Sequence, residues 1–153
     1  MRAAYLAFLM LPLAACAPPV DVAQFAVADR PGAQAAYFSE YPSDLLDAAQ
    51  EACSGPGDEI RRHQGDSFSC EMLLPPEATA GIILEYDGNL EDLPRFVFRF
   101  DTEERGSGYL VTTDNFVRVP QRDGGTIRIR LRDMRLERRM AILLTQAGGR
   151  PLA

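Results

Sequence analysis

Alternating apolar residues recur along the chain and constrain its fold more than any other feature. Phe96, Phe98 and Phe100 alternate with residues that are mostly charged, which is the pattern of a strand with one buried face. Four further segments with this period are predicted as strands: 67–74, 82–86, 109–119 and 127–132. No crossover helix separates neighbouring segments, so we expect a largely antiparallel sheet.

Two amphipathic segments enclose these strands. Residues 42–53 are predicted as a helix capped by Ser43. The second helix begins after the cap residue Asp133, carries an apolar stripe at helical spacing and ends at Gly148-Gly149. The sequence therefore predicts an α+β fold, in which an antiparallel sheet of about five strands is flanked by an N-terminal and a C-terminal helix on one face.

Two segments interrupt this regular pattern. Residues 54–66 are rich in glycine and polar side chains, which predicts a loop. The alternation of the segment 109–119 slips near Asp114-Asn115, which predicts a β-bulge.

Charge is distributed unevenly along the chain, which has 153 residues and a net charge of −6. Residues 17–117 hold 6 arginines against 19 acidic residues, whereas residues 118–153 hold 9 arginines against 3. This asymmetry predicts either a surface that binds polyanions or attraction between two parts of one domain. The acidic balance of the whole chain argues against nucleic acid as a partner.

The N-terminus has the pattern of an export signal. Arg2 precedes the apolar run 3–13, which is too short to span a bilayer and fits the apolar region of a signal peptide. The run ends in Leu13-Ala14-Ala15-Cys16, and this tetrapeptide resembles the lipobox of bacterial lipoproteins. The alternative is an ordinary secretory signal that is cut near Cys16.

The lipoprotein resemblance covers only residues 1–16, and it implies where the chain resides. Residues 1–15 would be removed, and Cys16 would carry a diacylglyceryl thioether and an acylated amine, with palmitate as the expected acyl chain. Residues 16–39 are predicted as the lipidated cysteine and a flexible tether, and residues 40–153 as a periplasmic domain. The residue after the cysteine is not aspartate, which favours the periplasmic side of the outer membrane, with the inner membrane as the alternative.

Assigning Cys16 to lipid leaves one cysteine pair among the three cysteines. In the oxidising periplasm that the resemblance implies, Cys53 and Cys70 are expected to form a structural disulfide. A disulfide that closes the loop between these two cysteines stabilises a fold by roughly 3 kcal/mol in the chain-entropy model.

Arginines near the C-terminus are the candidate anion-binding residues. Those on the last strand share one face, and those on the last helix share another; they are Arg128, Arg130, Arg132, Arg135, Arg138 and Arg139. Guanidinium groups bind phosphates and carboxylates through paired hydrogen bonds. If the last helix covers the apolar sheet face, however, the two sets lie on opposite surfaces. Ion pairing of these arginines with the acidic part of the chain is the alternative.

No catalytic, cofactor-binding or metal-binding residues are predicted. His63 is the single histidine, which is too few for the usual zinc site. The acidic segment 87–92 lacks the ligand spacing of a calcium loop and is predicted as a turn.

These observations favour a non-enzymatic accessory or binding factor for an envelope assembly. The membrane would be contacted through the lipid anchor, and an envelope protein is the expected partner. Leu73, Ile83 and Val97 are predicted to form its docking surface on the open face of the sheet. The first alternative is an arginine-mediated binder of anionic lipid or envelope polymer, and an enzyme is the third and least favoured class.

Overall fold

The computed structural model describes residues 33–130 and 133–152. These residues form an α+β domain with seven strands and three helices, which confirms the predicted class and corrects the predicted count of five strands and two helices. In chain order, the elements are β1 (Gln34–Phe38), α1 (Ser43–Glu51), β2 (Glu59–Arg62), β3 (Asp66–Leu73), α2 (Pro76–Tyr86), β4 (Arg95–Arg105), β5 (Gly108–Pro120), β6 (Thr126–Ile129), α3 (Met134–Gln146) and β7 (Arg150–Pro151).

A single antiparallel sheet contains all of these strands. The strand order is β2-β3-β4-β5-β1-β7, and β6 pairs with β5 beside β1. The longest pairing joins β4 to β5 from Arg95↔Arg118 to Arg105↔Gly108. These two long strands therefore form the centre of the sheet, and they position the side chains of both of its faces.

One sheet face packs against helices, and we call it the helix face. Its core joins Phe68 of β3, Phe100 of β4 and Val111 of β5 to Leu45 of α1 and Leu144 of α3. The rings of Phe68 and Phe100 stack with centroids 5.1 Å apart. The terminal helices α1 and α3 thus contribute to the same core, while α2 is an additional helix at the end of the sheet.

The opposite side of the sheet is the open face. Because side chains alternate along a strand, it carries the residues between those of the core, among them Glu71, Val97 and Asp114. All three are buried, although two of them are acidic. The open face is therefore a packed polar surface and not a simple solvated one.

The last residues of the predicted tether belong to the domain. Strand β1 pairs with β5 from Gln34↔Thr113 to Phe38↔Tyr109. Ala35 and Ala36 are buried because β1 lies between β5 and β7 and beneath α3. The prediction of a flexible tether up to residue 39 was therefore wrong for β1, since a short apolar run without clear alternation hides a buried strand.

The predicted loop 54–66 contains strand β2. Every residue of β2 is exposed, and the strand pairs with β3 from Glu59↔Glu71 to Arg62↔Phe68. An edge strand of charged residues carries no apolar alternation, so the sequence does not reveal it. The hairpin turn contains Gly65, whose positive φ of 69° suits glycine.

The predicted strand 82–86 is instead the second half of helix α2. The helix begins with Pro76, and proline is favoured in the first turn because its missing N–H has no helical partner there. Ile83 points into the protein, and Asp87 ends the helix in the left-handed conformation. A helix that carries apolar residues around most of its circumference gave no clear helical period, which explains the error.

The predicted bulge at Asp114-Asn115 was wrong. The register between β4 and β5 continues through Arg99↔Asp114 and Phe98↔Asn115 without an inserted residue. Asp114 interrupts the apolar pattern because it is a buried ion-pair partner on the open face. The apolar alternation of the sequence is broken because an ion-pair partner occupies this position, but the pairing register of the strands is continuous.

The helix ends follow the predictions in part. The Asp133 carboxylate accepts hydrogen bonds from the backbone N–H groups of Arg135 and Leu136, which confirms the cap of α3. Gly148 ends that helix with φ of 91°. Ser43, in contrast, is the first residue of α1 and makes no capping hydrogen bond.

Candidate functional site: an exposed leucine groove beside a charged sheet face

The predicted lipidation site and signal peptide lie outside the described residues, as do residues 16–32 of the predicted tether and Arg132. Within residues 33–130 and 133–152, no helix is long and apolar enough to span a membrane.

The disulfide between Cys53 and Cys70 is present. It joins Cys53, which lies two residues after the last residue of α1, to the middle of β3, and both cysteines are buried. Asp58 brings a carboxylate oxygen near the two sulfur atoms, all within 4.8 Å of one another. The sulfur atoms are bonded to each other, so they are not the thiolates that a metal ion would require.

A network of ion pairs covers the open face. The side chain of Glu71 is 6% exposed. It accepts a hydrogen bond from Arg118 at 3.2 Å and forms an ion pair with Arg61 at 3.3 Å. Arg118 also binds both carboxylate oxygens of Asp92, at 3.0 and 3.1 Å. Arg118 therefore connects two acidic residues of the first part of the chain, as the alternative explanation of the charge asymmetry predicted.

The same contacts shift the pKa values of the participating groups. The hydrogen bond from Arg118 lowers the pKa of Asp92, and it raises the pKa of Arg118 in turn. The hydrogen bond to Asp114 raises the pKa of Arg130. Each of these three shifts favours the charged form of the group concerned, namely Asp92, Arg118 and Arg130.

Two of the candidate anion-binding arginines lie together on the open face. Arg130 donates to the Asp114 carboxylate at 2.7 Å, and that carboxylate is 3% exposed. Arg128 stacks over the ring of Phe116, with its guanidinium carbon 4.8 Å from the ring centroid. Arg130 is thus neutralised within the chain, and an anion at this position would have to compete with Asp114.

The remaining candidate arginines lie elsewhere. Arg135, Arg138 and Arg139 are exposed on α3, which packs against the helix face. Arg128 and Arg130 therefore lie on the opposite side of the sheet from the three arginines of α3. Anion binding by either set stays a prediction, but the described arginines do not form one patch.

His63 makes a structural contact at the β2–β3 hairpin. Its Nε2 lies 2.9 Å from the hydroxyl oxygen of Ser69, which is buried at 2% exposed. Because the Ser69 hydroxyl is buried, we interpret its contact with His63 as one that holds the β2–β3 hairpin against the open face.

An exposed apolar groove lies beside α2, and we call it the leucine groove. Four leucines make most of its exposed wall: Leu84 is 83% exposed, Leu90 69%, Leu73 45% and Leu93 38%. The groove has a volume of about 520 Å³, and it is lined further by Leu74, Pro76, Thr79, Ala80 and Ile83. Contiguous exposed apolar surface of this kind marks interaction sites in soluble domains.

Acidic side chains surround the leucine groove. Residues 73–94, which supply its entire lining, contain Glu77, Glu85, Asp87, Glu91 and Asp92 and no basic residue. All five acids are exposed. Asp92 and Asp87 are paired with arginines of β5 and of the following turn. The groove thus presents apolar surface within a negatively charged border.

The predicted docking residues are rearranged by the fold. Leu73 and Ile83 line the leucine groove together, but Ile83 is only 7% exposed and supports the groove from below. Val97 is 2% exposed on the open face, where it pairs with Glu71 and Phe116 on its two neighbouring strands. The prediction of one docking surface made of these three residues was therefore wrong.

The sequence interpretation missed Leu84, Leu90 and Leu93. Proline at positions 75 and 76 followed by an uninterrupted Ala-rich segment was an available signal for a helix. A helical interpretation separates Ile83 from Leu84 by about 100° and places them on different sides.

Comparisons with known proteins give no relative. The chain matches no family model, and no curated protein is significantly similar to it.

Proposed function

We propose that the chain is a lipid-anchored lipoprotein of the bacterial cell envelope whose domain binds a protein partner at the leucine groove. In this proposal Cys16 carries the lipid, and the domain acts as a non-enzymatic accessory factor. The lipobox-like residues Leu13-Ala14-Ala15-Cys16 support the anchor. The disulfide between Cys53 and Cys70 supports export, because such bonds persist in oxidising compartments.

The exposed leucines carry the proposed binding role. Leu84 and Leu90 project from a helix and from the loop after it, and water contacts most of each side chain. Burying an apolar side chain contributes about 25 cal/mol per Å² of surface removed from water. Four neighbouring leucines therefore offer several kcal/mol to a partner that covers them.

The acidic border specifies the chemistry of that partner. Of the five acids in residues 73–94, Asp87 and Asp92 are paired with arginines, and the negative potential around the apolar surface comes from Glu77, Glu85 and Glu91. We infer a partner protein that presents apolar side chains flanked by arginine or lysine. An amphipathic helix with this composition would match the shape of an elongated groove.

The lipid anchor would hold this binding surface at the membrane. Proposed localisation is the periplasmic side of the outer membrane, since Ala17 follows the modified cysteine. Incorporation of labelled palmitate into the full chain should be lost in Cys16→Ser. Retention of the label in that variant would refute lipidation at this residue.

Photochemical cross-linking in the envelope tests the binding role. The full chain, carrying p-benzoylphenylalanine in place of Leu84, should form a covalent adduct with another protein upon illumination. Mass spectrometry should place the adduct on a partner segment with apolar residues next to arginine or lysine. The matched control carries the same photoreactive residue at Met134, which is 76% exposed on α3 and distant in sequence from the groove.

Two outcomes of this experiment would contradict the proposal. The first is a Leu84 reporter that yields no adduct or only the adducts of the Met134 control. The second is an adduct on a segment rich in acidic residues, which the border of the groove should repel.

A further inference from the structure

A second apolar groove lies on the helix face, between α1 and α3. It has a volume of about 260 Å³, and its floor includes Phe98, Met72 and the disulfide-bonded cysteines. Its walls are formed by two helices that line it with Leu45, Ala48, Ala49, Ala52, Met140 and Leu143. The two helices therefore leave part of the sheet between them uncovered.

Apolar surface continues from this groove onto the helices. Ala48 and Ala52 of α1 are exposed although they line the groove. On α3, Leu143 is 40% exposed, and its neighbour Ile142 is 48% exposed. The surface thus extends outward as two apolar ridges on either side of the groove.

The two ridges carry opposite charges. Helix α1 contains Asp44, Asp47 and Glu51 and no basic residue. Helix α3 contains Arg135, Arg138 and Arg139 against a single acid, Glu137. All six of the charged side chains that define the two ridges are exposed.

These charges have no ion-pair partner within the part of the chain that the structure describes, although Asp44 accepts a hydrogen bond from the Ser43 hydroxyl. No ion pair within residues 33–130 and 133–152 involves the three acids of α1 or the three arginines of α3. The open face differs, because Arg61, Arg95, Arg99, Arg118 and Arg130 all have carboxylate partners there. The groove between α1 and α3 therefore offers one acidic wall and one basic wall to a partner from outside.

We propose that a second copy of this chain covers this groove, forming a two-fold symmetric dimer through α1 and α3. A two-fold axis along the groove places α1 of each copy over α3 of its partner, so acidic and basic walls meet twice. An axis across the groove would instead place each helix over its own equivalent and oppose like charges. Charge complementarity thus selects both the occupant and the orientation.

This interface is separate from the leucine groove and does not rest on the partner proposed there. The leucine groove is lined by residues 73–93, whereas this groove is lined by α1, α3 and the helix-face residues of β3 and β4. A lipid-anchored chain that pairs in this way would display two leucine grooves.

Cross-linking from Ala48 tests the dimer. The chain in its envelope, with p-benzoylphenylalanine at Ala48, should yield a covalent species of twice the mass of the uncross-linked protein. Mass spectrometry should place the bond between α1 of one copy and α3 of the other. The matched control carries the reporter at Ala78, an exposed alanine of α2, and should yield no such species.

Charge exchange tests the orientation. Glu51→Arg and Arg139→Glu should each reduce the dimer yield at least about threefold, because each opposes like charges twice in the assembly. The double variant Glu51→Arg/Arg139→Glu should restore the dimer yield.

Three outcomes would overturn the proposal: cross-links only to a different protein, a monomer under all conditions, or a bond between the α1 helices of the two copies. Loss of the dimer together with an intact Leu84 adduct would overturn this inference and leave the proposed partner binding standing.

Discussion

The open face and the leucine groove are both on the surface of the domain, but they differ in whether their side chains have partners within the chain. On the open face, Arg118 and Arg130 bind carboxylates of the same chain. In the groove, Leu84 and Leu90 face solvent with no part of the described chain covering them. Charges that are paired within the chain stabilise the fold and need no partner. Exposed apolar surface, in contrast, is removed from water only when another molecule covers it. This difference is the reason why we propose the leucine groove, and not the arginine-rich face, as the binding site.

The sharpest test within the groove compares two adjacent residues. Ile83→Asp should destabilise the domain by about 3 kcal/mol or more, because it buries a carboxylate without a partner. Leu84→Asp should change the free energy of unfolding by less than about 0.5 kcal/mol, since Leu84 is 83% exposed. Urea unfolding of both variants measures the contrast. Equal losses at the two positions would mean that Leu84 is part of the core.

The corresponding test on the open face compares two arginines of one segment. Arg130→Met should cost about 2 kcal/mol, since the buried Asp114 carboxylate loses its partner; the figure is modest for a buried pair because the Arg130 side chain is itself 30% exposed. Arg128→Met should cost under about 1 kcal/mol, because it removes only a stacking contact with Phe116. Thermal unfolding of both proteins checks the order. A larger loss for Arg128→Met would contradict the assignment of Arg130 to the fold.

The smallest effect concerns Asp92, which belongs to both regions. Its pKa is lowered in the folded state by Arg118, so its pairing stabilises the protein above the unfolded pKa of about 3.9 and is lost as the pH falls through the folded value. Asp92→Asn should cost about 0.5 kcal/mol at pH 7, a modest figure because 52% of the side chain is exposed. The difference from the unmodified protein should shrink as the pH falls from 7 through the folded-state pKa of Asp92. An unchanged difference across that range would rule out the carboxylate as its source.

The sequence predicted the sheet well wherever one face of a strand was apolar. Phe96, Phe98 and Phe100 identified β4, and the alternation of residues 109–119 identified most of β5. Strand β2 escaped prediction because an exposed charged edge has no apolar period. Strand β1 escaped because its alanines and aromatic residues are buried on both faces. An alternating apolar pattern is therefore absent both from an exposed edge strand and from a strand that is buried on both faces.

The candidate site was only half predictable for a related reason. Leu73 and Ile83 were singled out as docking residues, and both do line the groove. Leu84 was assigned to the buried face of a strand, since alternation and helical spacing are hard to separate over five residues. The pairing of Arg118 with Asp92 could not be read from the sequence, because it joins residues 26 positions apart through the fold.

The decisive measurement is the Leu84 cross-link in a chain that also carries Leu90→Asp. Leu90 is 69% exposed, so this change adds a charge to the groove without disturbing the core. The account predicts at least a tenfold loss of the partner adduct with unfolding unchanged, while Met134→Asp, at a position 76% exposed on α3, leaves the adduct intact. An adduct of undiminished yield in the folded Leu90→Asp variant would contradict the claim that the leucine groove binds the partner.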